Sequence, residues 1–250
     1  MRFRGLSKQA TMRPNSIGRS RLRTRASFAA VLLATLLLPT LALAHGVADK
    51  DAAFIQANPG LQIVPFLYLG AKHMVTGYDH LLFLVGVIFF LYRLKDVLLY
   101  VSLFTVGHSL TLLGGVLGGV HANAFIIDAV IGLSVVYKGF ENINGFQAFF
   151  GWTPNTRVAV LVFGLFHGFG LATKLQDLRL PANGLVTNLV SFNVGVECGQ
   201  ALALGAVLIA LSYWRTSSAF RKHAFVTNTA LMTGGFVLMG YQLAGYGINR

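Results

Sequence analysis

The sequence predicts an all-α, polytopic membrane protein: a bundle of six transmembrane helices that follows a cleaved N-terminal signal peptide. The first observation is composition, because 55% of the 250 residues are hydrophobic and only 11% are charged. Soluble domains carry about 25% charged residues. The second is a succession of apolar segments, each long enough to cross a bilayer as a helix. The third is a basic, then apolar, N-terminus that resembles a secretory signal.

The N-terminal segment contains most of the basic excess. Eight of the twenty Lys and Arg residues lie before residue 26, so removing them from the net charge of +12 leaves +4. The apolar run "ASFAAVLLATLLL" follows, and Ala42-Leu43-Ala44 fits a small-x-small cleavage pattern. We therefore expect cleavage after Ala44, with a retained anchor helix as the alternative and Met12 as an alternative start. The charge belongs to targeting, so it does not indicate a nucleic-acid partner.

The remaining chain divides into a periplasmic N-terminal segment over 45–62 and a six-helix membrane domain over 63–250. The predicted spans are 65–92, 97–118, 123–142, 156–174, 187–213 and 224–246. With the mature N-terminus in the periplasm, seven Lys and Arg residues fall on the inner side and five on the outer side. This bias agrees with insertion in a bacterial inner membrane. Cys198 is the only cysteine, which excludes an internal disulfide or a CxxC pair.

Ionisable side chains occur at similar depths in several predicted spans. An ionisable group at mid-membrane costs about 2.5–3.5 kcal/mol, so it indicates function. Imidazole and carboxylate suit divalent Ni, Co, Zn or Cu, and the predicted metal ligands are His73, Asp79, His80, His108, His167 and Glu197. His73 precedes His80 by seven residues and faces the same side of a helix. The side chains expected to orient these ligands are Asp128, Asn193, Gln200 and Ser109.

Each of these residues also has a structural interpretation. A single intramembrane histidine such as His108 is often an interhelical hydrogen-bond donor. Glu197 is alternatively a structural partner of a histidine, and Asp128 a cap or part of a water-filled vestibule. Glycines beside His167 in "FGLFHGFG" indicate either a broken helix or close packing. Two halves of three spans each would have opposite orientations, and the shared F-x3-H of "FTVGHS" and "FGLFHG" is a weak sign of such halves.

Four motifs resemble the HupE/UreJ family of hydrogenase- and urease-associated membrane proteins. They are H-x5-D-H (His73, Asp79 and His80) followed by "LLFL", then "FTVGHSLTL", "FGLFHGFG" and "FNVGVECGQ". The resemblance covers nearly the whole chain after residue 61. It implies six helices, a signal sequence, secondary transport of nickel or cobalt, and functional roles for the H-x5-D-H residues and His167. Two features depart from the family: Asp128 stands where a Glu is usual, and the polar N-terminal stretch is unlike the metal-binding loops of some relatives.

We therefore expect a secondary transporter rather than an enzyme, with Ni²⁺ or Co²⁺ as cargo, Zn²⁺ also compatible, and no tightly bound cofactor. The expected partners are the lipid bilayer, the ion and a hydrogenase or urease maturation system. One alternative is an intramembrane zinc-dependent hydrolase using the histidines, Asp79 and Ser109, although no H-E-x-x-H motif is present. Others are a membrane metal-binding accessory protein without transport, and a haem-binding electron carrier using His108 and His167.

Overall fold

The computed structural model describes residues 53, 55–57, 60–177 and 183–248. The predicted signal peptide, its cleavage site and most of the 45–62 segment lie outside the described residues. The described chain is all-helical, as expected. Its helices are α1 (Ile63–Thr76), α2 (Tyr78–Ile88), α3 (Leu94–Leu117), α4 (Ala124–Asn142), α5 (Gly145–Phe150), α6 (Thr156–Asp177), α7 (Leu185–Arg215) and α8 (Ala219–Ile248).

The predicted spans agree with helices to within a few residues at most ends, with three differences. The segment predicted as one span over 65–92 contains two helices, α1 and α2, and ends earlier. The short helix α5 was not predicted. The last helix, α8, begins five residues before the predicted span and therefore includes His223.

Gly77 separates α1 from α2. Its φ of −72° and ψ of 96° are extended rather than helical, although its backbone N–H still donates to the carbonyl oxygen of His73 at 2.8 Å. A Cβ at this position would lie 2.9 Å from that carbonyl oxygen and 3.1 Å from Oδ1 of Asp79. A side chain therefore has little room here, and the helical run is interrupted at a glycine.

Three helix pairs dominate the packing: α1 with α7, α3 with α6, and α4 with α8. The helix α2 contacts α4 most extensively. Gly168 shows how close the α3–α6 pair is, because a Cβ there would collide with the backbone carbonyl of His108. The glycines near His167 therefore serve close packing. They do not break the helix, since α6 is continuous from Thr156 to Asp177.

Three helices of the described chain, α3, α6 and α7, are long and apolar enough to cross a membrane by length and composition. Their outer faces are apolar, as the 70% exposure of Leu202 and the 65% exposure of Leu110 illustrate. Several polar side chains, such as those of His108, Gln200 and Asn228, are instead buried between helices. Exposed apolar faces around a polar interior are the arrangement expected of a helical membrane protein.

Candidate metal site

Four histidines from four helices meet inside the bundle. His80 on α2 lies at the centre, with its ring centroid 5.0 Å from that of His73 on α1, 6.0 Å from His108 on α3 and 4.7 Å from His167 on α6. We call these four residues the histidine cluster. The expectation that His73 and His80 face the same side is thus met, even though the helix between them is broken.

The histidine cluster separates two hydrophobic cores along the helices. On α3, Phe104 belongs to one core and Leu112 to the other, and His108 lies between them. The same order occurs on α6 around His167. The imidazoles therefore form a polar layer with apolar side chains on both sides of it.

Asp79 fixes the proton position of His80. Nδ1 of His80 lies 3.0 Å from Oδ1 of Asp79. Because a carboxylate accepts hydrogen bonds, Nδ1 carries the proton, and the lone pair of the neutral ring resides on Nε2. That Nε2 is buried and has no hydrogen-bond partner among the described residues. A carboxylate-oriented imidazole with its other nitrogen unoccupied is the usual arrangement of a metal-binding histidine.

Ser134 on α4 has the equivalent effect on His167. The Ser134 hydroxyl donates to the carbonyl oxygen of Ile131 at 2.6 Å, so its oxygen accepts from Nε2 of His167 at 3.2 Å. The lone pair of His167 is then on Nδ1. This nitrogen is also buried without a hydrogen-bond partner in the described part of the chain. In their neutral forms, His80 and His167 therefore each present one nitrogen lone pair that has no hydrogen-bond partner among the described residues.

His108 makes no side-chain hydrogen bond within the described residues. Its side chain is 1% exposed, and both ring nitrogens lack a partner. An unpaired polar atom in a protein interior costs about 1–3 kcal/mol, so such atoms are rare and call for an explanation. A ligand that binds nitrogen lone pairs explains the unpaired atoms of His80, His108 and His167 together.

The N-terminus of α2 places a negatively charged side chain beside the histidine cluster. Asp79 lies in the first turn of α2, where its Oδ1 also accepts the backbone N–H of His80 at 2.9 Å. A carboxylate at a helix N-terminus is stabilised by the helix dipole. Asp79 is therefore held as an anion directly beside the histidine cluster.

Aromatic rings close one side of the histidine cluster. Phe83 and Phe104 lie 5.4 Å and 5.0 Å from the ring of His167, and Phe104 stacks on His108 at 6.1 Å. A small cavity next to His80 is bounded by such apolar side chains together with Gln200. The surroundings therefore exclude bulk water from this side of the imidazoles.

The side chains are close together, but they do not form a finished coordination shell. Among the described residues, no three His, Cys, Asp or Glu side chains are arranged to hold one metal ion. The rings meet nearly edge-on, with interplanar angles of 70° to 83° around His80. Metal–nitrogen bonds of about 2.0–2.1 Å require the donor atoms to converge further than this.

Glu197 lies apart from the histidine cluster. Its side chain is exposed, and its nearest described hydrogen-bond partner is Asn193, at 3.5 Å. Asn193 also donates to Ser109 at 2.8 Å, while Gln200 accepts from Thr105 at 2.9 Å. These predicted accessory residues therefore join α3 to α7, and none of their described hydrogen bonds reaches a ring of the histidine cluster.

Asp128 forms an ion pair that the sequence analysis missed. Both its carboxylate oxygens accept from Nζ of Lys174 on α6, at 3.0 Å and 2.8 Å. The carboxylate is buried, so neither a cap nor an open vestibule describes its position. Ser134 was missed as well. Lys174 had a sequence signal, since it follows His167 by seven residues and shares its helix face, whereas nothing in the sequence distinguishes Ser134.

An all-helical bundle with apolar outer faces and a buried layer of histidines defines a membrane protein with a candidate transition-metal site. The family model described as HupE / UreJ protein matches residues 49–250, and this chain belongs to that family. Membership implies an accessory or transport function for nickel or cobalt, linked to hydrogenase or urease maturation. No match to the chain was found among the curated proteins or among the solved structures.

Proposed function

We propose that this protein is a secondary transporter that moves Ni²⁺ or Co²⁺ across the bacterial inner membrane through the histidine cluster. The observation that carries the proposal is the set of unpaired, buried nitrogens on His80, His108 and His167. Each belongs to a different helix, so an ion bound there would contact α2, α3 and α6 at once. His73 and Asp79 are the other proposed ligands, whereas Glu197, the sixth residue expected from the sequence, is exposed and is left out of the set.

The donor set suits exchange rather than permanent retention. Neutral imidazole with one carboxylate is an intermediate ligand set that favours Ni²⁺ and Co²⁺, and it also accepts Zn²⁺. Rings that must still converge would bind an ion less tightly than a closed cage, and transport requires release as well as binding. This is why we expect no tightly bound cofactor and no catalytic zinc.

Two architectural features favour transport over an accessory role. The first is the discontinuous span formed by α1 and α2, whose break lies at the candidate site, as in many transporters. The second is the pairing pattern. If the first three predicted spans are exchanged with the last three, the span of α1 and α2 takes the place of α6, α3 that of α7, and α4 that of α8. The α1–α7 pair then becomes the α6–α3 pair, and the α4–α8 pair is unchanged. Such a pattern is expected of two related halves around a central site.

The proposed arrangement has six spans and a periplasmic mature N-terminus. Ions would reach Asp79 and His73 first, pass through the layer of imidazoles, and leave on the side of Phe104 and Tyr100. A hydrogenase or urease maturation system is the proposed recipient. Because imidazole binds metal only when deprotonated, lowering the pH on the uptake side should reduce transport.

Flux of ⁶³Ni²⁺ into sealed vesicles that contain only this purified protein tests the proposal. We expect His80→Ala to abolish flux, because it removes the central imidazole. The matched control is His121→Ala, since His121 is an exposed loop residue whose Nδ1 contacts only the Gly119 carbonyl among the described hydrogen bonds. Parallel vesicles with Co²⁺, Zn²⁺ and Cu²⁺ identify the preferred cargo.

Two results would contradict transport. Stoichiometric Ni²⁺ binding by the wild-type protein with no flux would instead support a metal-binding accessory role. Equal flux in wild-type and His80→Ala vesicles would remove the histidine cluster from the mechanism.

A further inference from the structure

Lys174 places a positive charge next to the candidate metal site. It follows His167 by two turns of α6 and shares its face, so its Cα lies about 10 Å further along the helix. The side chain is 17% exposed, and its ammonium group is held by both oxygens of Asp128. Asp79 belongs to the same site, because it holds His80, whose ring centroid lies 4.7 Å from that of His167.

The position of Asp128 explains where the lysine is held. Asp128 is on α4, and its Oδ1 would lie 3.6 Å from a Cβ placed on Gly170 of α6. The carboxylate is thus packed against the backbone of the helix that carries Lys174. It is 6% exposed, so it strongly attracts a cation. Lys174 thus contacts one carboxylate, Asp128, while a second carboxylate, Asp79, belongs to the site around His80 and His167.

Stability alone is a weak explanation for this pair. Taking two charges out of water costs several kcal/mol each, and a buried ion pair is often no more stable than apolar residues of similar volume. Removing one partner of such a pair destabilises the protein, because the other charge stays buried without compensation. A buried pair that links two helices beside a metal site therefore calls for an explanation in terms of that site.

We propose that Asp128 holds Lys174 away from Asp79, so that Asp79 remains available to the metal ion. This inference rests on the proposed function, because it assigns a positioning role within the same site. Without Asp128, the flexible lysine side chain would pair with Asp79 and occupy the carboxylate that the incoming dication needs. With Asp128 in place, Lys174 still repels the ion at longer range and so weakens its binding.

The experiment compares four full-length proteins in vesicles: wild type, Asp128→Asn, Lys174→Gln and the double variant. We expect Asp128→Asn to raise the KM for Ni²⁺ by at least about tenfold, because the freed ammonium competes for Asp79. Lys174→Gln should lower the KM by about tenfold, because one repulsive charge is gone. The double variant should return to within about twofold of wild type, since the pair is neutral overall in both.

The matched control is the other buried lysine–carboxylate pair, Lys138 with Glu141, which lies within α4. Glu141→Gln should lower the thermal stability and leave the KM unchanged. Equilibrium dialysis of ⁶³Ni²⁺ with each purified protein provides a second measurement if Asp128→Asn folds poorly, because Lys174→Gln and the double variant still report on the effect.

The results separate the positioning role from the proposed function. Wild-type flux with the same KM in Lys174→Gln and in the double variant would overturn the positioning role alone. A double variant as impaired as Asp128→Asn would also overturn it, because the lysine would then not be the cause. Absence of both binding and flux in the wild type would reject the proposed function and this inference with it.

Discussion

Two of the buried polar groups in the described part of this bundle differ in how their atoms are paired. The first is the histidine cluster. The second, which we call the amide pair, consists of Asn142 on α4 and Asn228 on α8. The Asn142 amide donates to Gly86 O and to Asn228 Oδ1, both at 2.8 Å, and Asn228 donates to Ala224 O at 2.8 Å. The histidine cluster instead leaves four ring nitrogens of His80, His108 and His167 unpaired among the described residues.

This difference in hydrogen bonding distinguishes a polar group that stabilises the fold from one that is suited to bind a ligand. A buried polar group with all its partners stabilises the helices it joins, and it has no free lone pair for a ligand. A buried group with unpaired atoms costs stability until a ligand arrives. Substitutions in the amide pair should therefore change stability without changing metal binding. Substitutions in the histidine cluster should have the reverse effect.

The largest expected effect is that of His108→Leu. Because His108 makes no side-chain hydrogen bond within the described residues, its replacement by an apolar residue removes a ligand without breaking a bond. We expect Ni²⁺ flux to fall to background and the melting temperature in detergent to stay the same or rise. A marked loss of stability with flux retained would show that His108 serves stability rather than metal binding.

Ser134→Ala should have an intermediate effect. The His167 ring would remain, but the bond that fixes its tautomer and orientation would be lost. Partners of this kind contribute about 10- to 100-fold to metal affinity. We therefore expect a rise of at least about tenfold in the Ni²⁺ dissociation constant, measured by equilibrium dialysis. Restoration of affinity in Ser134→Thr would support orientation, whereas wild-type affinity in Ser134→Ala would count against it.

Asn228→Ala tests whether the amide pair contributes to stability and not to metal binding. It leaves Asn142 with the Gly86 carbonyl only, and the loss of a buried hydrogen-bond partner costs about 1–3 kcal/mol. The melting temperature should fall, while the KM for Ni²⁺ per folded molecule should not change. A changed KM would indicate that the amide pair acts on the metal site.

The smallest expected effect is that of Glu197→Gln. Glu197 is exposed, and it bonds to Asn193 rather than to a histidine. Glutamine keeps an oxygen that accepts this bond. Flux and melting temperature should both stay close to wild type, and a large loss of flux would return Glu197 to the set of metal ligands.

The sequence supported predictions that depend on local pattern. The helical class follows from long apolar runs, and the spacing of seven accounts for His73 and His80 facing the same side. The break at Gly77 was missed because a single glycine inside an apolar run is also tolerated within a helix.

Predictions that depend on neighbouring helices were less successful. Glu197 and Gln200 are three residues apart, which places them about 60° apart around the helix. That angle suffices to make Gln200 buried and Glu197 exposed. The ion pair of Asp128 with Lys174 and the bond of Ser134 to His167 each join separate helices, so no periodicity within one segment reveals them.

The break at Gly77 divides the candidate ligands between two short helices. His73 belongs to α1, which rests on α7, whereas Asp79 and His80 belong to α2, which rests on α4. Arg215 at the end of α7 donates to the carbonyls of Ile88 and Phe89, so the opposite end of α2 is tethered. A change in the backbone torsion of one glycine would therefore separate His73 from His80. If an ion binds the histidine cluster as proposed, its occupancy and the bend of this span are reciprocally linked. A change that straightens the bend would then weaken ion binding, and a bound ion would stabilise the bend.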